Sequence, residues 1–224
     1  MKTSVIIIAW NEEENIKDVL LSIKKQTKKP FEVIVVNNKS TDNTFNIAKR
    51  FDFVKVVDQN EIQGMTPTRN KGFDIAQGDL LLKLDADTRL EKEWIEKAEE
   101  KFLKDKELGA LSGKTIYNLP VIDNFLIYFY IHFLKITTGT KPLFGPAYIL
   151  KKSIWEKIKN NVCIDDSKVH EDINISINIA KTNAKIEIFK DIITYASNRR
   201  MVKNPITFFI TDYPLRVIKT IIHR

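Results

Sequence analysis

The first half of the chain alternates between two hydrophobic periodicities, and this alternation limits the folds open to it. Short continuous apolar runs predict buried strands, and the segments between them carry apolar residues at helical spacing. The predicted strands are Ser4–Trp10, Glu32–Val36, Phe53–Val57 and Leu80–Leu84. The helices predicted between them are Glu12–Gln26, Ser40–Arg50 and Thr68–Gln77. Strands that alternate with helices are typical of a parallel, doubly wound α/β sheet with right-handed crossovers.

The second half has a less regular pattern. It predicts further strands at Ala110–Tyr117, Leu143–Leu150, Lys185–Phe189 and Ile192–Ala196. It also predicts helices at Lys152–Lys159 and Glu171–Ala180, and an amphipathic terminal helix at Pro205–His223. With 224 residues, 43% hydrophobic and 29% charged, the chain has the length and composition of one compact folded domain.

Polar residues follow three of the predicted strands at their carboxyl ends. They are Asn11-Glu12, Asn37-Asn38 and Asp85-Ala86-Asp87. In open α/β sheets, ligands bind in the crevice outside these strand ends. We therefore expect the three clusters to converge on one binding site.

Asp85 and Asp87 flank a small residue directly after an apolar strand. Two carboxylates in this arrangement can hold one hard cation such as Mg²⁺ or Mn²⁺, with phosphate oxygens and water completing the coordination shell. A solvated Asp-X-Asp turn is the alternative, because such tripeptides are common by chance.

Several ordered segments resemble the family-2 inverting glycosyltransferases of the GT-A fold, over roughly residues 4–200. The segments that carry the resemblance are residues 4–16, 35–44, 68–72 and 76–87. The resemblance implies a GT-A-like (Rossmann-like) α/β domain with a mostly parallel central sheet over residues 1–203. Its nucleotide-binding half would span about 1–117 and its acceptor half about 118–203, followed by an amphipathic helix at 204–224.

The resemblance also implies how the donor is bound. Asp87 would coordinate the metal, and Asp85 would contact the ribose or the metal. Asn38 stands where the family usually carries an Asp that accepts a hydrogen bond from uracil. Because an amide both accepts and donates, the choice between UDP and GDP stays open. The other implied nucleotide contacts are Ala9, Trp10, Asn11, Glu12, Ala86 and, near the phosphates, Arg69. The alternative for Trp10 is that it is an aromatic residue of the core. The alternative for Arg69 is that it is an exposed cation at the start of a helix.

His170-Glu171-Asp172 resembles the family's Glu-Asp motif, in which the Asp is the catalytic base. Asp172 would therefore take the acceptor proton, and Glu171 would help to position the acceptor. The alternative is that these are ordinary acidic residues at a helix N-terminus. Gly145-Pro146-Ala147 resembles the stretch under the acceptor site. Arg199 and Arg200 resemble a basic pair that binds the donor diphosphate, with a surface pair as the alternative.

Charge and cysteine usage exclude some classes of protein. The net charge of +7 comes from scattered lysines, and no nucleic-acid-binding module is recognisable. The lone Cys163 forms no intrachain disulfide and fits a reducing compartment. The apolar start of the chain is too short for a signal peptide, and the ten-residue run Phe125–Leu134 is too short to span a bilayer. We expect a cytoplasmic protein whose terminal helix packs on its own domain or lies on anionic lipid.

Taken with the resemblance, these features imply a metal-dependent inverting glycosyltransferase. It would move a sugar from a nucleotide-diphosphate sugar, UDP-linked by preference, to an acceptor hydroxyl in cell-surface glycan or lipid-linked saccharide synthesis. A polyprenyl-phosphate glycosyltransferase and a non-catalytic sugar-nucleotide binding protein are the alternatives. A sugar-phosphate nucleotidyltransferase is set aside, because the loop after the first strand is acidic and has no glycine.

Overall fold

A computed structural model describes residues 1–117, 132–199, 202 and 213–222. The strands in this part are β1 Thr3–Ala9, β2 Glu32–Asn37, β3 Val54–Asp58, β4 Leu80–Asp85, β5 Thr88–Leu90, β6 Leu108–Tyr117, β7 Ala147–Lys151 and β8 Lys185–Ala196. The helices are α1 Ile16–Lys24, α2 Thr44–Lys49, α3 Met65–Ile75, α4 Trp94–Lys104, α5 Lys152–Ile158, α6 Glu171–Ala180 and α7 Tyr213–Ile222. Residues 132–138 are also helical.

The described strands form one sheet in the order β3-β2-β1-β4-β7-β6-β8-β5. Strands β3, β2, β1 and β4 run parallel, as expected for the first half of the chain. Strand β7 runs antiparallel to both of its neighbours, β4 and β6. The chain winds away from β1 in one direction through β2 and β3 and returns to its other side with β4. This reversal places a ligand-binding crevice at the carboxyl ends of β1, β2 and β4.

The sheet is apolar on both faces, which explains the continuous apolar runs of its strands. In β1, Val5 and Ile7 pack on the face covered by α1 and α4, whereas Ile6 packs on the face covered by α3 and α5. The same alternation in β4 sends Leu80, Leu82 and Leu84 to the first face. Its charged residues Lys83 and Asp85 therefore share the second face with Leu81.

Several expectations about the elements need correction, among them the helix predicted at Ser40–Arg50, which begins at Thr44. Lys185–Phe189 and Ile192–Ala196 belong to one continuous strand, β8, whose pairing with β6 shifts register between Gly113 and Lys114. The strand expected at Leu143–Leu150 is confined to Ala147–Lys151. The first helix begins at Ile16, since Glu12 accepts turn hydrogen bonds from the N–H groups of Asn15 and Ile16.

The sequence pattern did not single out β5 and α4. Helix α4 buries Trp94, Ile95, Ala98 and Phe102 at helical spacing, although charged residues occupy most of the remaining positions. Strand β5 has only three residues, too few for a period to be recognisable.

Helix α7 lies within the predicted terminal helix and packs on α6. Its Val217 and Ile221 contact a cluster formed by Leu134, Ile173 and Ile177. Within the described residues, no helix combines the length and apolar character that crossing a membrane requires. Most of the apolar run Phe125–Leu134, the remainder of the predicted terminal helix, the boundary expected at 203–204 and Arg200 lie outside the described residues.

Candidate active site

The loops that follow β1 and β2 are joined by hydrogen bonds. Asn11 has a left-handed backbone (φ 52°), which Asn tolerates better than most residues. Its side-chain oxygen accepts the N–H of Thr41 at 2.8 Å, and its own N–H donates to Ser40 Oγ at 3.1 Å. The N–H of Glu12 donates to Thr44 Oγ1 at 2.7 Å. Ser40, the first residue of the helix predicted at Ser40–Arg50, therefore lies before α2 and supports the loop after β1. The two polar strand ends are held together by these hydrogen bonds.

Asn38 is buried between these loops and presents one unused acceptor. Its backbone N–H donates to the carbonyl of the buried Ala9 at 2.8 Å, and its Nδ2 donates to Gly64 O at 3.2 Å. Its Oδ1 is buried without a hydrogen-bond partner in the described part of the chain. Trp10 is 52% exposed, so its alternative reading as a core aromatic is wrong. A buried acceptor and an exposed indole therefore flank the end of β1.

Asp85 and Asp87 lie where β4 ends, separated by the buried Ala86. The Asp85 N–H donates to Pro146 O at 3.0 Å, and its Oδ1 accepts Lys83 Nζ at 2.7 Å. Burial raises the pKa of Asp85 to about 6 against the attraction of Lys83, and the charge of Asp87 adds to the rise. This mutual repulsion is a property of two carboxylates that face the same space.

Lys83 is a fully buried cation at the centre of the site. Its Nζ contacts Asp85 Oδ1 and donates to the carbonyl of Gly145, and it lies 3.8 Å from Glu171 Oε2. Burial lowers the pKa of Lys83, but the charges of Asp85 and Glu171 more than reverse this effect, so the ammonium stays protonated. Sequence reasoning missed Lys83, although a charged residue inside an otherwise apolar strand is a recognisable signal.

Arg69 lies inside α3 and is fully buried, so its alternative reading as an exposed cation is wrong. Its guanidinium pairs with Glu171 and donates to Tyr148 Oη at 3.2 Å. The Tyr148 hydroxyl also donates to Glu171. A direct contact between Arg69 and phosphate stays a prediction. The observed contacts make Arg69 a partner of the Glu-Asp pair on α6.

Asp172 lies in the first turn of α6, and hydrogen bonds hold both of its oxygens. Oδ1 is 2.5 Å from His170 Nδ1, and Oδ2 accepts the Gly145 N–H at 3.0 Å. A Cβ at position 145 would itself lie 3.0 Å from Oδ2, so a glycine allows this approach. Burial raises the pKa of Asp172, but His170 and then Lys83 lower it to below its usual value. Asp172 is therefore ionised at neutral pH.

Three of these carboxylates raise the pKa of Tyr117, at the end of β6. Burial raises the pKa of its hydroxyl, and the charges of Asp172, Asp85 and Asp87 raise it further. The three carboxylates come from the end of β4, the turn after it and α6, and all of them act on one phenol.

Arg199 brings the segment after β8 to the same site. Its guanidinium pairs with Glu12 and lies 3.5 Å from Asp87 Oδ2. One cation therefore joins the residues that follow β1 and β4.

The carboxylates after β4 fit a divalent metal bound together with a nucleotide. Among the described residues, no group of three His, Cys, Asp or Glu side chains is placed to hold a metal ion. A metal shared with a diphosphate, however, needs only one or two protein carboxylates. Asp87 and Asp85 supply hard oxygen ligands, and a bound cation would offset the burial of Asp85 and its repulsion by Asp87, the two main causes that raise its pKa.

Known proteins match this chain in sequence and in fold. The family described as Glycosyl transferase family 2 matches residues 4–166. Glycosyltransferase AglE from Haloferax volcanii is 38% identical over 100 residues, which are 42% of this chain and 33% of AglE.

Solved structures share the fold over most of the chain. S. aureus TarS 1-349 in complex with UDP-GlcNAc superposes with a TM-score of 0.70 at 25% identity, over 88% of this chain and 58% of the TarS chain. The mannosyltransferase PcManGT from Pyrobaculum calidifontis, solved with GDP-Man and Mn²⁺, gives a TM-score of 0.68 at 22% identity, over 87% of this chain and 56% of its own. These matches confirm the expected GT-A-like α/β fold. The chain spans a third of AglE and less than two thirds of either solved chain.

Proposed function

The chain belongs to glycosyl transferase family 2, and on that premise we propose that it moves a sugar from a nucleotide-diphosphate sugar to an acceptor hydroxyl, inverting the anomeric carbon. The observation that carries the proposal is the position of Asp172. Its Oδ2 accepts the N–H of Gly145, whose carbonyl accepts a hydrogen bond from the same Lys83 ammonium that pairs with Asp85. The family match ends at residue 166, so the role of Asp172 is argued from its surroundings.

Asn38 is the proposed reader of the nucleotide base. Its buried Oδ1 can accept a ring N–H, and uracil and guanine both offer one. A hydrogen bond from the base to this oxygen also removes the free-energy cost of a buried, unsatisfied acceptor, which is about 1–3 kcal/mol. The TarS complex with UDP-GlcNAc supports a UDP-sugar as the first donor to test, with a GDP-sugar as the alternative. Trp10 offers an exposed ring for stacking, and Ala9, Asn11 and Glu12 complete the proposed pocket.

Asp87 and Asp85 are the proposed metal ligands, with Ala86 and Asp85 also lining the nucleotide. A bound Mg²⁺ or Mn²⁺ supplies positive charge that stabilises the departing diphosphate. Arg199 already lies between Glu12 and Asp87, where its planar fork can bind the same phosphates. Arg200 is proposed for that role from the sequence alone.

Asp172 is the proposed general base. As the acceptor oxygen forms its bond to the anomeric carbon, Asp172 takes the hydroxyl proton. The bond from that carbon to the diphosphate breaks, and the nucleoside diphosphate leaves with the electron pair. Both oxygens of Glu171 contact Arg69, Tyr148 or Lys83, so Glu171 fixes the first turn of α6 and thereby the acceptor position.

Substitution of Asp172 tests the proposal directly. Asp172→Asn keeps the shape and removes the basicity, so donor affinity measured by calorimetry should stay close to wild type. Sugar transfer should fall by about 10²–10⁴-fold, the usual contribution of a positioned acid–base group. The exposed Asp52, changed to Asn, serves as the matched control. Transfer at the wild-type rate in Asp172→Asn would contradict the proposal and leave Glu171 as the next base to test.

The outer face of α7 is proposed to contact anionic lipid at the cytoplasmic membrane face. Leu215, Ile218 and Ile222 are 54%, 51% and 71% exposed, and Arg216 and Lys219 are exposed beside them. An apolar stripe flanked by cations suits a lipid surface. Such contact would suit a lipid-linked saccharide or polyprenyl-phosphate acceptor as well as a cell-surface glycan. Co-sedimentation with phosphatidylglycerol vesicles, but not with phosphatidylcholine vesicles, is the expected result.

Two other functions make different predictions. A non-catalytic sugar-nucleotide binding protein would bind the donor but neither transfer nor hydrolyse it. A nucleotidyltransferase would release pyrophosphate from a nucleoside triphosphate and a sugar phosphate. Donor hydrolysis and pyrophosphate release, assayed on the same preparation, distinguish both from a glycosyltransferase.

A further inference from the structure

Helix α7 reaches the proposed base through a backbone hydrogen bond. His170 precedes α6 as its N-cap residue, and its N–H donates to Thr220 Oγ1 at 2.5 Å. The Thr220 hydroxyl donates in turn to Arg216 O at 2.7 Å, which fixes its orientation on α7. Thr220 is fully buried, so water does not replace this bond in the folded protein.

This bond compensates for a cap that α6 lacks. In a capping box, a Glu or Gln at the third helical position accepts the N–H of the N-cap residue. In α6 that position is Ile173, which has no side-chain acceptor, and His170 makes no side-chain cap hydrogen bond. Thr220 therefore supplies from another helix the acceptor that the local sequence does not provide.

His170 carries the constraint on to Asp172. Its backbone is held by Thr220, and its imidazole Nδ1 lies 2.5 Å from Asp172 Oδ1. Apolar contacts of Val217 and Ile221 with α6 keep the two helices in register. A shift of α7 would therefore move His170 and, through it, one of the two hydrogen bonds that orient the Asp172 carboxylate.

We propose that α7 is a positioning element of the active site, in which Thr220 holds His170 and His170 holds Asp172 in the orientation for proton transfer. The inference rests on the proposed role of Asp172 as the base. Neither Thr220 nor His170 need touch the substrate, so both act as positioning residues. The chemistry responds to such placement, since a displacement of about 1 Å can cost a factor of roughly 100 in rate.

Thr220→Val and Thr220→Ser test the proposal. Val has nearly the shape of Thr but no acceptor, whereas Ser keeps the hydroxyl. Thr182→Val is the matched control, because the Thr182 hydroxyl also donates to a backbone carbonyl, Ile179 O, but at the far end of α6. We expect Thr220→Val to lower kcat by roughly 10–100-fold with unchanged donor affinity. Thr220→Ser and Thr182→Val should keep a kcat close to wild type.

The possible outcomes separate this inference from the function on which it rests. A wild-type kcat in Thr220→Val overturns the inference, as does a lowered kcat that Thr220→Ser shares. If Thr220→Val does not fold, Thr220→Cys replaces it, because Cys keeps the volume and offers a weak acceptor. We expect Thr220→Cys to have a kcat between those of the wild type and Asp172→Asn. A wild-type kcat in Thr220→Cys overturns the inference. If Asp172→Asn transfers normally, the proposed base is wrong, whatever the Thr220 variants do. If Asp172→Asn is inactive and Thr220→Val is fully active, only the inference fails.

Discussion

Lys83 Nζ lies 2.7 Å from Asp85 Oδ1, two residues further along the same face of β4. The proposed donor-side carboxylate therefore comes with its own buried counter-ion. Because Lys83 also contacts the Gly145 carbonyl and lies near Glu171, it links the end of β4 to the acceptor side of the site.

Lys83→Met should destabilise the protein strongly. Removing one partner of a buried ion pair leaves carboxylates uncompensated and typically costs about 3–5 kcal/mol. Lys185→Met is the control, since Lys185 pairs with Asp105 and Glu187 at the surface, where water and salt screen the charges, and its loss should destabilise the protein much less. Urea denaturation of both variants measures the difference. An equal loss of unfolding free energy in the two variants would contradict the role of Lys83 as a buried counter-ion.

Asn38 should determine base preference through its unsatisfied oxygen. Asn38→Leu removes the acceptor and should weaken UDP binding by about tenfold, the equivalent of one hydrogen bond of roughly 1.4 kcal/mol. Asn38→Asp restores a stronger, charged acceptor and should preserve or improve UDP affinity. Calorimetry with UDP and GDP provides the measurement. Tighter binding of GDP than of UDP by the unmodified protein would reverse the proposed preference.

Metal removal should weaken donor binding. Chelation by EDTA and Asp87→Asn should each lower the affinity for a UDP-sugar, and added Mn²⁺ should restore it only in the chelated wild type. Glu13→Gln is a suitable control, because the exposed Glu13 joins the loops after β1 and β2 and is not one of the proposed metal ligands. Calorimetric titration in Mn²⁺ and in EDTA makes the test, and equal affinities would rule out the metal role.

His170 should make stability depend on pH in a defined direction. Burial lowers its pKa, but Asp172 raises it to a net value above 6.5. The folded protein therefore binds this proton more tightly than the unfolded chain does. The stabilisation that protonated His170 contributes is fully present below pH 6.5, the ordinary pKa of His. It is lost as the pH rises through the pKa of His170 in the folded protein. The stability gap between wild type and His170→Gln in urea denaturation should thus narrow with rising pH. A constant gap would mean that the imidazole is not charged.

The sequence pattern grouped the residues of the proposed donor side, but it did not predict the contacts around the proposed acceptor side. Asn38, Asp85 and Asp87 follow apolar strands directly, so a strand-end rule is enough to group them. The contacts of Lys83 and Arg69 with Glu171 join residues about 90–100 positions apart, which no local period encodes. Helix α4 went unrecognised because charged residues surround its buried face, and β8 was divided in two because polar residues interrupt its apolar pattern.

The bond between His170 and Thr220 spans 50 residues, so its two partners are synthesised seconds apart. Strands β1, β2 and β4, with the polar residues that follow them, are synthesised before either partner. The N-cap amide of α6 receives its partner only after residue 220 has emerged. A domain generally folds as a unit, and its chain is made at about 5–20 residues per second. A nascent chain would therefore contain His170 for several seconds before Thr220 could hold it, and the proposed base would be positioned only once α7 has been made.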